Sequence, residues 1–317
     1  MRRKGWKIGT GMVLSALLIL CLASPGFGRV SGDVKKNFRV GPGGTLTLET
    51  DLGSIEVKTS NRNEVDVEVA FRPRSGSRRR IEDILEDFTV DFDQRGDDVF
   101  VTAEYLGRGQ GFWDSVGRYL RVEFYVTVPK KYNVDLRTSG GGISVDDLEG
   151  EARSKTSGGS LSFGRIQGSV YGRTSGGSIE LDECGGEVDV KTSGGSISIG
   201  RVTGDVVAHT SGGSIHVDEV MGSIDAGTSG GSVTATISEQ PKDDCRLTTS
   251  GGTINVYLAE DVGVYVNAGT SGGRVRTEFP VTIRGEISKR KLQAKINGGG
   301  PELYLRTSGG SIYLNEL

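Results

Sequence analysis

Thr156-Ser157-Gly158-Gly159-Ser160-Leu161-Ser162-Phe163-Gly164-Arg165-Ile166-Gln167-Gly168-Ser169-Val170-Tyr171-Gly172-Arg173 is one period of a repeat. Its opening tetrapeptide starts at Thr138, Thr156, Thr174, Thr192, Thr210 and Thr228, eighteen residues apart each time. It returns at Thr249, Thr270 and Thr307 with irregular spacing. A short fixed period marks stacked coils, since a single unit cannot bury its own apolar face. With the threonine as position zero, position five holds Ile143, Leu161, Ile179, Ile197, Ile215 and Val233. Position seven holds Val145, Phe163, Leu181, Ile199, Val217 and Ala235, and polar residues such as Ser162 and Ser198 stand between the two. That alternation is a half-buried strand. A second strand follows, with Ala152, Val170, Val188, Val206 and Ile224 at position fourteen and small residues two places on. The fold class is therefore all-β: a single-chain parallel β-solenoid (β-helix) with two short strands per eighteen-residue coil.

The corners explain the glycines. Position twelve is Gly150, Gly168, Gly186, Gly204 and Gly222, and the tetrapeptide supplies two more per coil. Glycine suits a corner where φ is positive or where stacked backbones approach closely. The threonines continue the inward parity of the second strand, so a buried hydroxyl ladder is expected there, structural in purpose rather than a ligand motif. Small residues at position sixteen predict a thin cross-section. Apolar Leu148, Ile166, Val202 and Val220 at position ten leave two shapes open, a flattened two-sheet sandwich or a three-sided prism.

Exposed positions follow a second rule. Position nine reads Asp147, Arg165, Glu183, Arg201, Glu219, and position eight reads Asp146, Gly164, Asp182, Gly200, Asp218. In-register stacking sets equivalent side chains ~4.8 Å apart. Alternating sign turns repulsion into weak ion pairs, and points to a pair of coils as the duplicating unit. Another edge is basic, with Arg153, Lys155, Arg173, Lys191 and His209. This stripe is the candidate site for an anionic polymer; its plainer reading is a solvated charged face.

The chain divides into three stretches. Residues 1–28 read as a signal peptide: Arg2, Arg3, Lys4 and Lys7, an apolar run from Met12 to Ala23, then small residues to Gly28. That run is short of the ~20 residues of a membrane span. Cys21 follows Leu20, where a lipoprotein signal would place a small residue. Residues 29–134 form a β-rich cap with a short helix at 78–88 and a degenerate coil around Thr50-Asp51-Leu52-Gly53. Gly107 to Trp113 reads as a loop. Residues 135–317 are the solenoid, ending in a strand from Ser311 to Leu317 with no evident cap, an exposed edge open to self-association.

Composition narrows the function. Losing residues 1–28 removes four basic and no acidic residues, so the formal charge moves from -3 to -7. A mildly acidic exported chain is not a general nucleic-acid binder. Cys184 and Cys245 lie three coils apart, about 14 Å at ~4.8 Å per coil, too far for a disulfide. Two histidines and these cysteines lack metal-ligand spacing, so no metal or other cofactor is expected.

The Thr-Ser-Gly-Gly-Ser-Ile repeats, Phe38-Arg39-Val40 with Gly43-Gly44, and Val126-Thr127-Val128-Pro129 resemble a bacterial β-strand-repeat family. Its members carry the label "putative adhesin" and a domain of unknown function. The resemblance covers roughly residues 34–317 and implies an exported, envelope-associated β-solenoid with no catalytic residues to carry over.

Three functions compete. The first is a non-enzymatic envelope or surface protein, an adhesin or scaffold meeting a surface or matrix glycan or protein; a periplasmic envelope-stress scaffold is its variant. The second is a carbohydrate-active β-helix enzyme, which needs converging acids and bases. Asp146, Asp182 and Asp218 share a face but stand about 9.6 Å apart at two coils each, with arginines between. The third is a calcium-stapled roll, whose repeat places the carboxylate inside the turn; here the aspartates follow the strand.

Overall fold

The computed structural model describes residues 28–29, 32–76, 78–107 and 112–317. The signal-peptide reading and Cys21 lie outside them. Two long sheets face each other, one of fifteen strands and one of thirteen, so the coil is a flattened two-sheet sandwich. In a typical coil, Leu161–Ile166 lies in the thirteen-stranded sheet and Val170–Arg173 in the other. Each strand pairs in parallel with its equivalent one coil away, as in Leu161↔Ile179 and Val170↔Val188. Position ten closes the narrow side: Leu148, Ile166, Cys184, Val202 and Val220 are all buried. No third sheet forms there. The cross-section is thin because the sheets compensate for one another. Phe163 reaches across to Gly172, where an added Cβ would lie 3.5 Å from its ring and 3.3 Å from Leu161.

The threonine ladder is buried and hydrogen-bonded. The Thr192 hydroxyl donates to the Gly177 carbonyl of the preceding coil (2.7 Å) and accepts from the Gly195 amide (3.4 Å). The same donation recurs from Thr156 to Gly141, Thr174 to Gly159, Thr210 to Gly195 and Thr228 to Gly213. Each threonine thus ties its own corner to the one beneath. Thr192→Val keeps the shape and leaves a buried carbonyl unpaired, so it should cost about 1–3 kcal/mol. Thr192→Ser should cost less, and comparison of urea midpoints separates the two.

The corner glycines answer to one of the two expected causes. No Thr-Ser-Gly-Gly glycine has a positive φ; among the described residues the glycines that do are Gly43, Gly53, Gly76, Gly96, Gly298 and Gly299. What the corner requires is close approach. A Cβ on Gly177 would stand 2.1 Å from the Gly159 carbonyl oxygen.

The solenoid begins earlier than residue 135. Thr45–Thr50 and Ser54–Ser60 form a complete coil in register with the next, Thr50 beside Thr138 and Ile55 beside Ile143. The chain then leaves the stack and builds the cap on the far side of that coil. Asp98–Tyr105 and Leu120–Pro129 continue the two sheets in parallel, and Phe88–Arg95, Glu64–Pro73 and Val34–Arg39 add antiparallel strands beyond them. Helix α1 spans Arg78–Glu86 and packs Ile84 and Leu85 into the core. Helix α2 spans Phe112–Tyr119, which corrects the loop reading at Phe112 and Trp113. Val116 is its buried residue, and Leu120, which opens the next strand, is buried beside it; one apolar helical position is too brief a signal to stand out in the sequence.

The carboxyl end departs most from the expectation of an uncapped final strand. Glu302–Thr307 and Ile312–Glu316, the closing coil, do not end the rod. They lie between the coil of Cys245–Thr249 and Ile254–Leu258 and the coil of Val264–Thr270 and Val275–Thr277. Glu302–Thr307 and Ile312–Leu314 therefore have both edges paired, and self-association through an open edge there loses its basis. The true end is the hairpin of Thr282–Ser288 and Lys291–Ile296, which runs antiparallel to Val264–Thr270 and turns at Lys289-Arg290.

Candidate functional site

Parallel stacking converts each exposed position into a column. The basic stripe proves to be parts of two. Lys155, Arg173, Lys191 and His209 are in register, and Arg137 extends the column toward the cap. Arg153 stands in the neighbouring column, opposite Asp135 on one side and Tyr171 on the other. Its guanidinium lies 4.2 Å from the Tyr171 ring centroid and bonds Glu151. Much of the charge is locally cancelled. Arg173 binds Asp189, His209 approaches Asp225 at 3.8 Å, and Arg137 bonds Glu49 at 2.8 Å and Asp135 at 3.1 Å. Lys155 and Lys191 form no ion pair among the described residues. Two free ammonium groups, two coils apart, are what the stripe offers an anion.

Sequence reading missed Arg137 because its coil partner, Glu49, lies 88 residues away. It also missed Tyr304, which is flanked by Arg246 (4.7 Å) and Arg306 (5.0 Å). Those residues come together only because the closing coil is inserted beside Cys245–Thr249.

The alternating column behaves as stacking predicts. Asp147 accepts from the Arg165 side chain and backbone, and Arg201 donates to Glu219 at 2.7 Å. Glu183 lies in register between Arg165 and Arg201. Hydrogen bonding from Arg165 holds the Asp147 carboxyl below its ordinary range, and Arg201 does the same for Glu219. Depressed folded pKa values stabilise the protein above the ordinary 3.8 and 4.5, and that stability is lost as pH falls further. Both pairs are solvent-exposed, so a double-mutant cycle on Arg201→Met and Glu219→Gln should give roughly 0.2–1 kcal/mol at pH 7. The coupling should vanish near pH 2.

Position eight has a steric cause as well. A Cβ on Gly200 would stand 2.0 Å from the Asp182 carbonyl oxygen, and one on Gly164 2.8 Å from the Asp147 carboxylate. Glycine alternates with aspartate there because alternate coils bring the backbone close. The carboxylates of Asp146, Asp182 and Asp218 thus belong to coil geometry. His216 contacts Asp218 at 2.7 Å on the open face.

Surface cavities are shallow. One of about 350 Å³ is bordered by Lys130, Asp147, Arg165 and Glu183, and one of about 430 Å³ by Glu49, Glu104, Arg137 and Lys155. Among the described residues no group of three or more His, Cys, Asp or Glu could hold a metal ion. Cys184 and Cys245 are both buried free thiols, and burial pushes the Cys245 thiol up to about 11.

Two continuous parallel-rich sheets, and a family profile matching residues 43–315, decide the classification. The chain belongs to the Toastrack DUF4097 family. No curated protein matches the chain. Three solved structures are similar to this Toastrack chain. A putative adhesin from Bacteroides fragilis has 11% identity and a TM-score of 0.39, over 92% of this chain and 100% of that one. One from Parabacteroides merdae has 11% identity and a TM-score of 0.40, over 90% and 97%. A putative lipid binding protein from Parabacteroides distasonis has 10% identity and a TM-score of 0.38, over 90% and 97%. Likeness at this level carries no functional argument. Among the described residues, no helix of the Toastrack rod is long and apolar enough to cross a membrane.

Proposed function

We propose that this Toastrack protein is a non-enzymatic, exported envelope or surface protein whose rod serves as an adhesin or scaffold. The observation that carries this reading is the register kept from Thr50 to Thr270, interrupted by one bulge between Val217 and Val220. It repeats each exposed side chain at ~4.8 Å over nine spacings, about 43 Å. Such a surface matches an extended partner, a glycan or protein strand, better than a compact metabolite. Lys155, Lys191 and the stacked Tyr171 and Tyr304 are the groups that would meet it.

Two measurements test the reading. Protease accessibility on intact cells against permeabilised ones should show cleavage on intact cells for an adhesin. Cleavage only after permeabilisation assigns the rod to a periplasmic scaffold, and none in either refutes export. Affinity for acidic oligosaccharides of graded length should rise with length up to that of the rod. Turnover of the oligosaccharide, or affinity that saturates at a disaccharide, would overturn the non-enzymatic extended-surface reading.

A further inference from the structure

The coil at the end of the rod breaks the repeat at two exposed positions. Position four is Ser160, Ser178, Ser196, Ser214 and Ser232 in regular coils, and the column continues through Thr253 and Ser311. In the terminal coil it is Arg274. Position six is Ser144, Ser162, Ser198 or Thr234 in four of the six regular coils and Glu180 or His216 in the other two; it is Asn255 and Tyr313 in the next coils of the stack, and becomes Arg276. The turn of the end hairpin lies over the same corner: the Lys289 carbonyl accepts from the Val275 amide (3.0 Å), and that of Arg290 from Thr270 (2.9 Å). Arg274, Arg276, Lys289 and Arg290 therefore line one cavity of about 420 Å³, with the Ser311 hydroxyl at its side. None of the four forms an ion pair among the described residues. Glu286, the acid nearest along the hairpin, is taken by Lys291 at 2.9 Å. Arg276 lies 5.9 Å from the Tyr313 ring centroid, and four cations in one recess without a neutralising acid stand out in a chain whose formal charge is -3.

Beside this recess the hairpin exposes apolar surface. Ile283 and Ile287 are 52% and 55% exposed, although they stand opposite Ala294 and Leu292 on the face that points inward elsewhere. They are uncovered because the thirteen-stranded sheet stops at Val275–Thr277 while the other continues for two more strands. Charged residues on an edge strand are sufficient to block strand-to-strand aggregation. That role accounts for Arg274 and Arg276 but leaves the two isoleucines of Thr282–Ser288 without a reason. A basic recess next to an exposed aliphatic pair is the composition that seats on anionic headgroups while apolar side chains enter the acyl boundary.

We infer that the end of the rod remote from the cap is a docking site for an anionic membrane surface. Arg274, Arg276, Lys289 and Arg290 receive the headgroup phosphates, and Ile283 and Ile287 dip into the lipid. This goes beyond the proposed function, since it concerns the tip and is independent of what the columns along the rod bind.

The test uses the full chain with vesicles of phosphatidylcholine, alone or with phosphatidylglycerol. Any contribution of residues 1–28 is common to every variant, so the readout is the difference between variants. Arg276→Glu with Lys289→Glu should weaken sedimentation with the anionic vesicles about a hundredfold or more. Ile287→Asp should weaken it about tenfold. Lys131→Glu with Lys242→Glu, the same charge change at exposed positions on the side of the rod, should leave it unchanged. Ile287→Trp, made in a chain with Trp6→Phe and Trp113→Phe and an unaltered melting temperature, should be quenched by brominated acyl chains, which reads insertion at the tip. Equal losses from the tip and side pairs, or absence of quenching, overturns the proposal. Release of the chain by millimolar inorganic phosphate assigns the recess to free phosphate and overturns the membrane docking as well.

Discussion

Deletion of Glu302–Leu317 should disrupt far more of the rod than the sixteen residues removed. In a simple solenoid the final coil is an end piece with one neighbour. Here the closing coil has two, and it buries Leu303, Leu305, Ile312 and Leu314 completely. At ~1.5–3 kcal/mol each, these side chains contribute about 6–12 kcal/mol, an upper range because the unfolded chain also buries some surface. That is comparable to the total stability of an ordinary domain. The deletion also removes the Thr307 hydroxyl from the Gly252 carbonyl and leaves Val264–Thr270 without its parallel partner. The truncated chain should lose a cooperative transition in calorimetry and be cleaved by protease between residues 259 and 301. A melting temperature within a few degrees of the full chain would show that the terminal coil can restack directly on Cys245–Leu258. Removing residues 192–227, two regular coils, is the control. It joins Lys191 to Thr228 and keeps equivalent strands in register. Glu183 is then followed at position nine by the coil of Thr228, so no like charges are brought together. This variant should remain folded as a shorter rod.

The second large effect lies within one corner. Gly159→Ala should cost at least about 3 kcal/mol, while Gly158→Ala should be neutral or slightly stabilising. A Cβ at Gly159 would stand 2.2 Å from the Gly141 carbonyl oxygen and 2.3 Å from the carbon and the next amide nitrogen, none of which can move without parting the coils. At Gly158 the nearest atom is 3.7 Å away. Neither residue has a positive φ, so backbone preference does not separate them. Gly96→Ala completes the comparison: it has open space but a φ of 61°, and should cost about 1–2 kcal/mol. Equal chemical denaturation midpoints for Gly158→Ala and Gly159→Ala would refute close backbone stacking as the cause.

The regular coils were legible because every one of them states the same solution. Ile143 through Val233 fixed the first strand, Ala152 through Ile224 the second, and the threonines their parity. Alternation of Asp147, Arg165 and Glu183 states the register in the sequence itself. The ends were opaque for a physical reason. Strand order is a property of pairing between distant segments, and the Thr-Ser-Gly-Gly at 249, 270 and 307 looks alike whichever coil sits outermost. The only trace is the gap of thirty-seven residues between Thr270 and Thr307, long enough for a hairpin and a return. The basic side stripe was legible in composition and misleading in effect, because Glu151, Asp189 and Asp225 neutralise much of it from adjoining columns. The recess at the tip was written in the sequence as Gly273-Arg274-Val275-Arg276. Its meaning depended on Lys289 and Arg290 folding back over that corner.

The interior position of the last-made coil also constrains how the protein is born and how it can change in size. A nascent chain can stack coils in order from Thr45 to Leu258, but the next segment must hold open a space for residues still to be synthesised. The stack around Cys245–Thr249 can lock only after residues 302–316 have emerged from the ribosome. A repeat inserted directly after the closing coil would find its neighbouring edges already occupied by Ile254–Leu258 and Val275–Thr277. Lengthening from within residues 138–227 keeps the sign alternation of position nine only in steps of two coils.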